Sequence, residues 1–190
     1  MSCLISSGYN SAGICKVPAG IETIYMIPRQ YISGYFTYDV NNVITLISQI
    51  GQNKFYQYDV KQQTADFSEK FVKDTKTGLF YFDGTLTIQF NKNGYALREQ
   101  LYEFIYTQKF CIIFKTNSNK YFLIGKTYGV TLEEGDITFG KKYGDLDGHI
   151  LKLKNRDKEC AQEVKLSAFT INTTQRIFNP NLFQYPTGGA

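Results

Sequence analysis

Only one stretch of this chain carries a helical period. Leu97, Leu101, Phe104 and Ile105 fall at i, i+4, i+7 and i+8, so they share one helical face. Arg98, Glu99, Gln100 and Glu103 fill the other face. Asn91 or Asn93 can cap its start by accepting an orphan backbone N–H. The spacing predicts one helix over about 94–107. Its apolar stripe is one face wide, so it must lie on another layer. The rest of the chain reads as strands, so that layer is a sheet.

The strands follow from alternation and from the residues that interrupt it. Ile21–Ile27 is an apolar-rich strand stopped by Pro28, which cannot donate to a ladder. Tyr31–Tyr38 is a second strand, ended by the turn residues Asp39-Val40-Asn41-Asn42. Val43–Ile50 is apolar on both faces and is expected to be buried on both. Lys54–Val60 and Thr64–Val72 follow; in the second, Ala65, Phe67, Glu69 and Phe71 share one face. Lys73–Gly78 is a polar hairpin tip, with Leu79–Phe82 and Thr85–Phe90 returning from it. Asp83-Gly84 between them reads as a turn or bulge. The pair makes a long hairpin that protrudes, and protruding hairpins often complete a neighbour's sheet. After the helix, Phe110–Phe114, Tyr121–Ile124, Val130–Glu133, Ile137–Phe139 and His149–Leu153 complete the set.

At 190 residues the chain is one domain with arms, and it can bury a core without staples. The expected division is an N-terminal arm over 1–20, a β domain over 21–166 and a C-terminal docking arm over 167–190. The last arm carries too many large apolar residues for a purely solvated tail. Fifteen Tyr and fifteen Phe, with abundant Thr, Ile and Val, favour a mainly β fold.

Chemistry is conspicuous by what the residues do not supply. There is no P-loop, no G-x-G-x-x-G after a strand, no H-E-x-x-H and no G-x-S-x-G. His149 is the single histidine, and it reads as a strand residue at a sheet surface. Glu133, Glu134, Asp136, Asp145 and Asp147 form the densest acidic region, but the later ligands of a calcium loop are missing. Asp145-x-Asp147-Gly148 is therefore read as a turn. Cys3, Cys15, Cys111 and Cys160 form no C-x-x-C pair and are expected to be free and reduced. Net charge is +4, and Lys152, Lys154, Arg156 and Lys158 form a short basic cluster. That is too little to mark a nucleic-acid reader. No signal peptide is read at the N-terminus, and no apolar run approaches the ~20 residues of a membrane span. A reducing cytoplasm is the expected place of synthesis.

A set of segments, taken in order, resembles a known family. These are Gly20-Ile-Glu-Thr-Ile-Tyr-Met-Ile after a Ser/Gly/Cys leader, Lys54-Phe-Tyr-Gln-Tyr-Asp, and Thr64-Ala-Asp-Phe-Ser-Glu-Lys. The helix with Leu97 and Leu101 follows, then Ile112 to Gly125, Gly129-Val, and the glycine-bounded run Gly140 to Gly148. Over roughly residues 1–165 this order resembles the tail-tube-like structural proteins of phages that infect Bacteroidetes, including the crAss-like phages. The resemblance implies a two-sheet β-sandwich or barrel with one flanking helix, a long hairpin and arms that bridge subunits. It implies a closed ring of copies, six-fold or twelve-fold, around a channel that carries viral DNA without sequence readout. Such a ring belongs to the virion tail, assembles in the bacterial host's cytoplasm, and stacks on adjacent tail or portal-proximal ring proteins. Channel walls in that family tend to be acidic, whereas this chain is net positive. No enzyme activity, cofactor, metal or membrane insertion is expected. Subunit contacts are expected at Ile5 and Tyr9 of the first arm and at Phe71, Lys73 and Leu79 of the hairpin. In the second arm they are expected at Phe178, Leu182, Phe183 and Tyr185. The alternative is a non-catalytic β-sandwich module that binds carbohydrate or a host surface through exposed tyrosines; the lack of tryptophan weighs against it.

Overall fold

The computed structural model describes residues 19–60, 64–75, 78–90, 102, 104–139 and 147–172. Among them, twelve strands join in one sheet of mixed sense that does not close into a barrel. The strands are β1 (Ile21–Pro28), β2 (Ile32–Tyr38), β3 (Ile44–Gln49), β4 (Phe55–Asp59), β5 (Ala65–Lys73) and β6 (Phe80–Phe90). The remainder are β7 (Phe110–Thr116), β8 (Tyr121–Ile124), β9 (Val130–Phe139), β10 (Asp147–Asp157), β11 (Gln162–Val164) and β12 (Ile171–Asn172). One short helical segment, at 104–107, precedes β7.

The sheet is organised about β1 and β7, which pair antiparallel from Ile21↔Thr116 to Pro28↔Phe110. Both are apolar on both faces, and each face covers a separate core. Ile24, Met26, Ile112 and Phe114 meet Leu86, Ile88, Leu151 and Leu153 on one side. Tyr25, Ile27, Cys111 and Ile113 meet Ile44, Ile47, Phe55 and Phe169 on the other. Period-2 geometry sends alternate side chains to opposite faces, which is why continuous apolar runs land at the centre. Beyond β7 on one side lie β8, β11, β3 and β2; β4 and β12 flank β1. A run of four antiparallel strands, β9-β10-β6-β5, joins β7 only through Phe110↔Val130. This run folds back over the first core, where the Phe67 ring of β5 lies 5.0 Å from Phe114 of β7.

A set of buried polar contacts fixes the connection from β8 to β9. Asn155 Oδ1 accepts the Gly125 N–H at 3.1 Å, and Asp157 Oδ2 accepts that of Thr127 at 2.9 Å. Arg29 Nε donates to the Lys126 carbonyl at 2.9 Å. Asn155 and Asp157 are buried, so these bonds satisfy groups that would otherwise be costly to desolvate.

Several expectations are corrected. Asp83 and Gly84 are not a turn; they continue β6 in register with Lys70 and Glu69 on one side and Arg156 and Asn155 on the other. The glycine is there because a Cβ would stand 2.9 Å from the Phe67 ring. The β3 strand is not buried on both faces: Ile44 and Ile47 are, but Leu46 and Ile50 face outward. His149 does not lie at a surface. It shares the parity of Leu151 and Leu153 along β10 and is fully buried. Of the predicted helix, Phe104 is buried against Tyr58 and Phe110, whereas Ile105 is exposed. Leu97 and Leu101 lie outside the described residues. The start of the segment read as a docking arm packs on the chain's own domain: Ala168 and Phe169 are core residues and β12 pairs with β4.

Candidate functional site

Part of the acidic and basic set singled out in the sequence meets on one face of the β9-β10-β6-β5 run. Ladder partners share a face, so Lys152, Lys154 and Arg156 of β10 stand with Thr87, Thr85 and Asp83 of β6. Lys70 and Asp66 of β5 and Glu134 and Asp136 of β9 project from the same side. Lys152 Nζ binds Glu134 at 2.5 Å, and Asp83 receives Lys154 at 3.3 Å and Arg156 at 3.5 Å. The hydrogen bond that Lys152 donates to Glu134, and that carboxylate's negative charge, raise the Lys152 pKa. The face holds four cations (Lys70, Lys152, Lys154, Arg156) and four anions (Asp66, Asp83, Glu134, Asp136), so it is locally neutral. The net +4 of the chain is carried elsewhere.

The acidic residues do not form a metal cage: no group of three or more His, Cys, Asp or Glu suits an ion among the described residues. Glu133, Glu134 and Asp136 fall within β9, and Asp147 begins β10 opposite Phe139. Asp145 lies outside the described residues. Among the cysteines, Cys111 is free and buried, and burial pushes its thiol up to about 12. Cys160 is free and exposed; Cys3 and Cys15 lie outside the described residues. No described helix is long and apolar enough to cross a membrane.

The hairpin residues expected at a contact do come together. β5 and β6 pair from Ala65↔Ile88 to Lys73↔Phe80, whereas β10 follows β6 only as far as Asp157↔Phe82. The hairpin therefore runs two rungs beyond its neighbour. Its tip is closed by the Asp74 N–H donating to Leu79 O at 2.8 Å. Phe71, Leu79 and Phe80 are 61%, 68% and 58% exposed. The Phe71 ring lies 5.7 Å from Phe80 and 5.6 Å from Phe82. Phe71 and Lys73 share the core-side parity of Phe67, but the core stops short of them. The exposed rings and their flanking lysines form a contiguous apolar patch at the hairpin end. Ile5, Tyr9, Phe178, Leu182, Phe183 and Tyr185 lie outside the described residues.

A second surface was not anticipated. After Val130, β9 pairs with β10 on one side, and over 131–137 no strand partner lies on its other edge among the described residues. The same holds for the outer edge of β5. A groove of about 470 Å³ lies between the helical segment and β9, lined by Phe104, Ile105, Leu132 and Ile137 and bordered by Glu133 and Asp136. A bulge at Glu133 bends the strand here: Glu134 faces Lys152 and Leu132 faces Leu153, leaving one residue extra. The signal for this edge was present, because exposed Ile137 and Phe139 alternate with polar residues. It was hidden by Gly135 and the carboxylates, which read as a break between two short strands.

Glu69, inward on β5, accepts the Ala161 N–H at 3.1 Å through one oxygen. Burial raises its pKa above the ordinary 4.5, with the Asp157 charge adding to the shift and the Ala161 bond opposing it. A raised carboxyl pKa contributes stability that is full below the unfolded value and is lost as pH rises through the folded one. Glu69→Gln keeps an acceptor for Ala161 and removes the buried charge. The variant is expected to be more stable than the parent at pH 7, with the gap closing toward pH 4. Urea midpoints of both proteins across that range check this; a gap that does not change with pH contradicts it.

Compared with known proteins, the chain matches no family model, no curated protein and no solved structure.

Proposed function

We propose that this chain is a structural subunit of a closed ring in a phage tail, tail-tube-like in its two-layer packing, enclosing the channel through which DNA leaves. The observation that carries the proposal is the β9-β10-β6-β5 run, whose outer edges, β9 over 131–137 and β5, lack a strand partner among the described residues. Long open edges are a liability that proteins cover or pair. The four strands alternate in direction, and four is even. In a copy related by rotation about an axis along the strands, β9 therefore lies antiparallel to β5 of its neighbour. Head-to-tail repetition then continues one antiparallel sheet, and it closes when the rotation returns to its start.

The polar side of that continuous sheet becomes the channel wall, where cations and anions balance in number within each copy. A wall without net charge offers passing phosphates no fixed attraction, which suits DNA that must slide. The acidic wall implied by the family resemblance is thus replaced by a balanced one. The arms at either end of the chain are assigned to contacts with neighbouring copies and adjacent tail rings, in a virion assembled in the host cytoplasm. Negative-stain imaging of the concentrated protein tests the proposal. Rings with a central hole are expected; a field of small solid particles at every concentration contradicts it.

A further inference from the structure

We propose that the exposed aromatic face at the end of the β5–β6 hairpin seats its rings in the groove beside β9 of a second copy. The contact is made by side chains and requires no strand pairing. The inference rests on the ring reading above and adds to it the seat that a neighbour's hairpin fills. Both surfaces lie on the same side of the four-stranded run. Phe71, Phe80 and Phe82 share the core-side parity of Phe67. On β9, Leu132, Gly135 and Ile137 stand opposite the buried Leu153, Leu151 and His149. The surfaces sit at opposite edges, however, with β10 and β6 between β9 and β5. About 14 Å of paired sheet therefore separates a hairpin from the groove of its own copy. Neither surface can cover the other within one chain, whereas two copies can join them head to tail.

Shape and charge match across the contact. Gly135 forms the floor of the groove: among the described residues only Leu151 Cδ2, at 3.4 Å, comes within 4 Å of a Cβ position there. Ile105 and Ile137 wall the space above it, and both are exposed. At about 470 Å³ the groove has room for large apolar side chains, and the hairpin presents Phe71 and Phe80 with their rings 5.7 Å apart. The rim is acidic. Glu133 and Asp136 form no ion pair among the described residues, whereas Glu134 is held by Lys152. The hairpin is basic at the matching place. Lys70 and Lys73 flank Phe71, and neither forms an ion pair among the described residues. Docking removes two apolar surfaces from water and brings uncommitted charges of opposite sign together at the rim. The occupant of the groove is therefore the hairpin of a second copy of this chain.

Photocrosslinking of the full chain tests the seat. The photoreactive p-benzoylphenylalanine is placed at Phe71, and isotopically light and heavy copies are mixed so that mass spectrometry marks crosslinks between copies. Crosslinks between copies to the peptides carrying Ile105 or Ile137 are expected. Gly135→Val tests the other side of the contact. It fills the floor with a side chain suited to a strand, so the subunit is expected to unfold at the parent's temperature or above. The concentration at half-assembly, read by light scattering, is expected to rise about tenfold or more. Phe71→Ala is expected to weaken assembly by a similar factor. Crosslinks between copies that fall elsewhere, or none at all, overturn the seat; rings formed under those conditions leave the ring reading standing without it. A folded Gly135→Val that assembles like the parent also overturns the seat. Crosslinks at Ile105 or Ile137 in assemblies that are not rings keep the seat and overturn the ring. A parent that stays monomeric at every concentration overturns both.

Discussion

Replacing Gly125 by alanine is expected to destabilise the fold by about 3 kcal/mol or more, adding left-handed strain of about 1–2 kcal/mol to overpacking of about 1–3 kcal/mol. Gly125 follows β8 with φ +74°, a conformation that L side chains rarely adopt. A Cβ there would stand 2.7 Å from the Phe110 carbonyl oxygen and 2.9 Å from the Val130 nitrogen. Both are backbone atoms, and they belong to the one rung that joins β7 to β9. Neither can retreat without breaking that rung, and with it the attachment of the four-stranded run. Gly78, at the hairpin tip, supplies the control: its φ is +70°, and nothing lies within 4 Å of its Cβ position. Gly78→Ala is expected to cost only the backbone term, about 1 kcal/mol. Urea unfolding of the two variants separates strain from crowding. Equal losses would show that the close approach at Gly125 carries no cost.

Phe55→Ala is expected to cost about 3–5 kcal/mol, the range for removing a fully buried aromatic ring. Phe55 is fully buried in the second core, and its ring meets Phe169 edge-on at 5.2 Å. Phe169 in turn touches Tyr25 at 5.4 Å and Tyr121 at 6.3 Å, so the cavity would open at the centre of an aromatic cluster. The backbone is involved as well: the Phe55 N–H donates to Thr170 O at 3.0 Å, and Ile171 pairs with Phe55. The loss should therefore extend to β12, with faster amide exchange at Ile171 and Asn172 than in the parent. A loss below about 1 kcal/mol, with exchange unchanged, would mean that the second core can collapse around the missing ring.

Much of the strand plan was legible because it depends on alternation and turn residues. The Asp39 turn is built as its residues suggest: Asp39 Oδ1 accepts the N–H groups of Asn41 and Val43, and Asn42 takes φ +62°. Two of the errors have a common cause. Asp83-Gly84 and Glu134-Gly135 were read as breaks because glycine beside a carboxylate usually turns the chain. In both places tertiary packing overrides that tendency: Phe67 needs the space at Gly84, and a bulge lets β9 carry its carboxylates along the strand. His149 was misplaced although its parity with Leu151 and Leu153 was visible; polarity was weighted above period. Double burial was assigned to β3 when it belongs to β1 and β7, since apolar content alone does not say which strand is central. The exposure of Phe71 and Leu79 on the hairpin was legible because it follows from strand length. The stretch of β9 without a strand partner among the described residues was not, because strand pairing is a property of sheet order, and sheet order is not written in any single segment.

The mass of the full chain in solution, followed through a dilution series by native mass spectrometry, tests the central claim most directly. The account predicts one dominant closed species whose mass is a fixed multiple of 21.8 kDa, giving way to monomer on dilution without a ladder of stable intermediates. A head-to-tail interface must close or keep growing, so a single ring size is its signature. A chain that stays at 21.8 kDa at every concentration, or stops at a two-fold dimer, would contradict it.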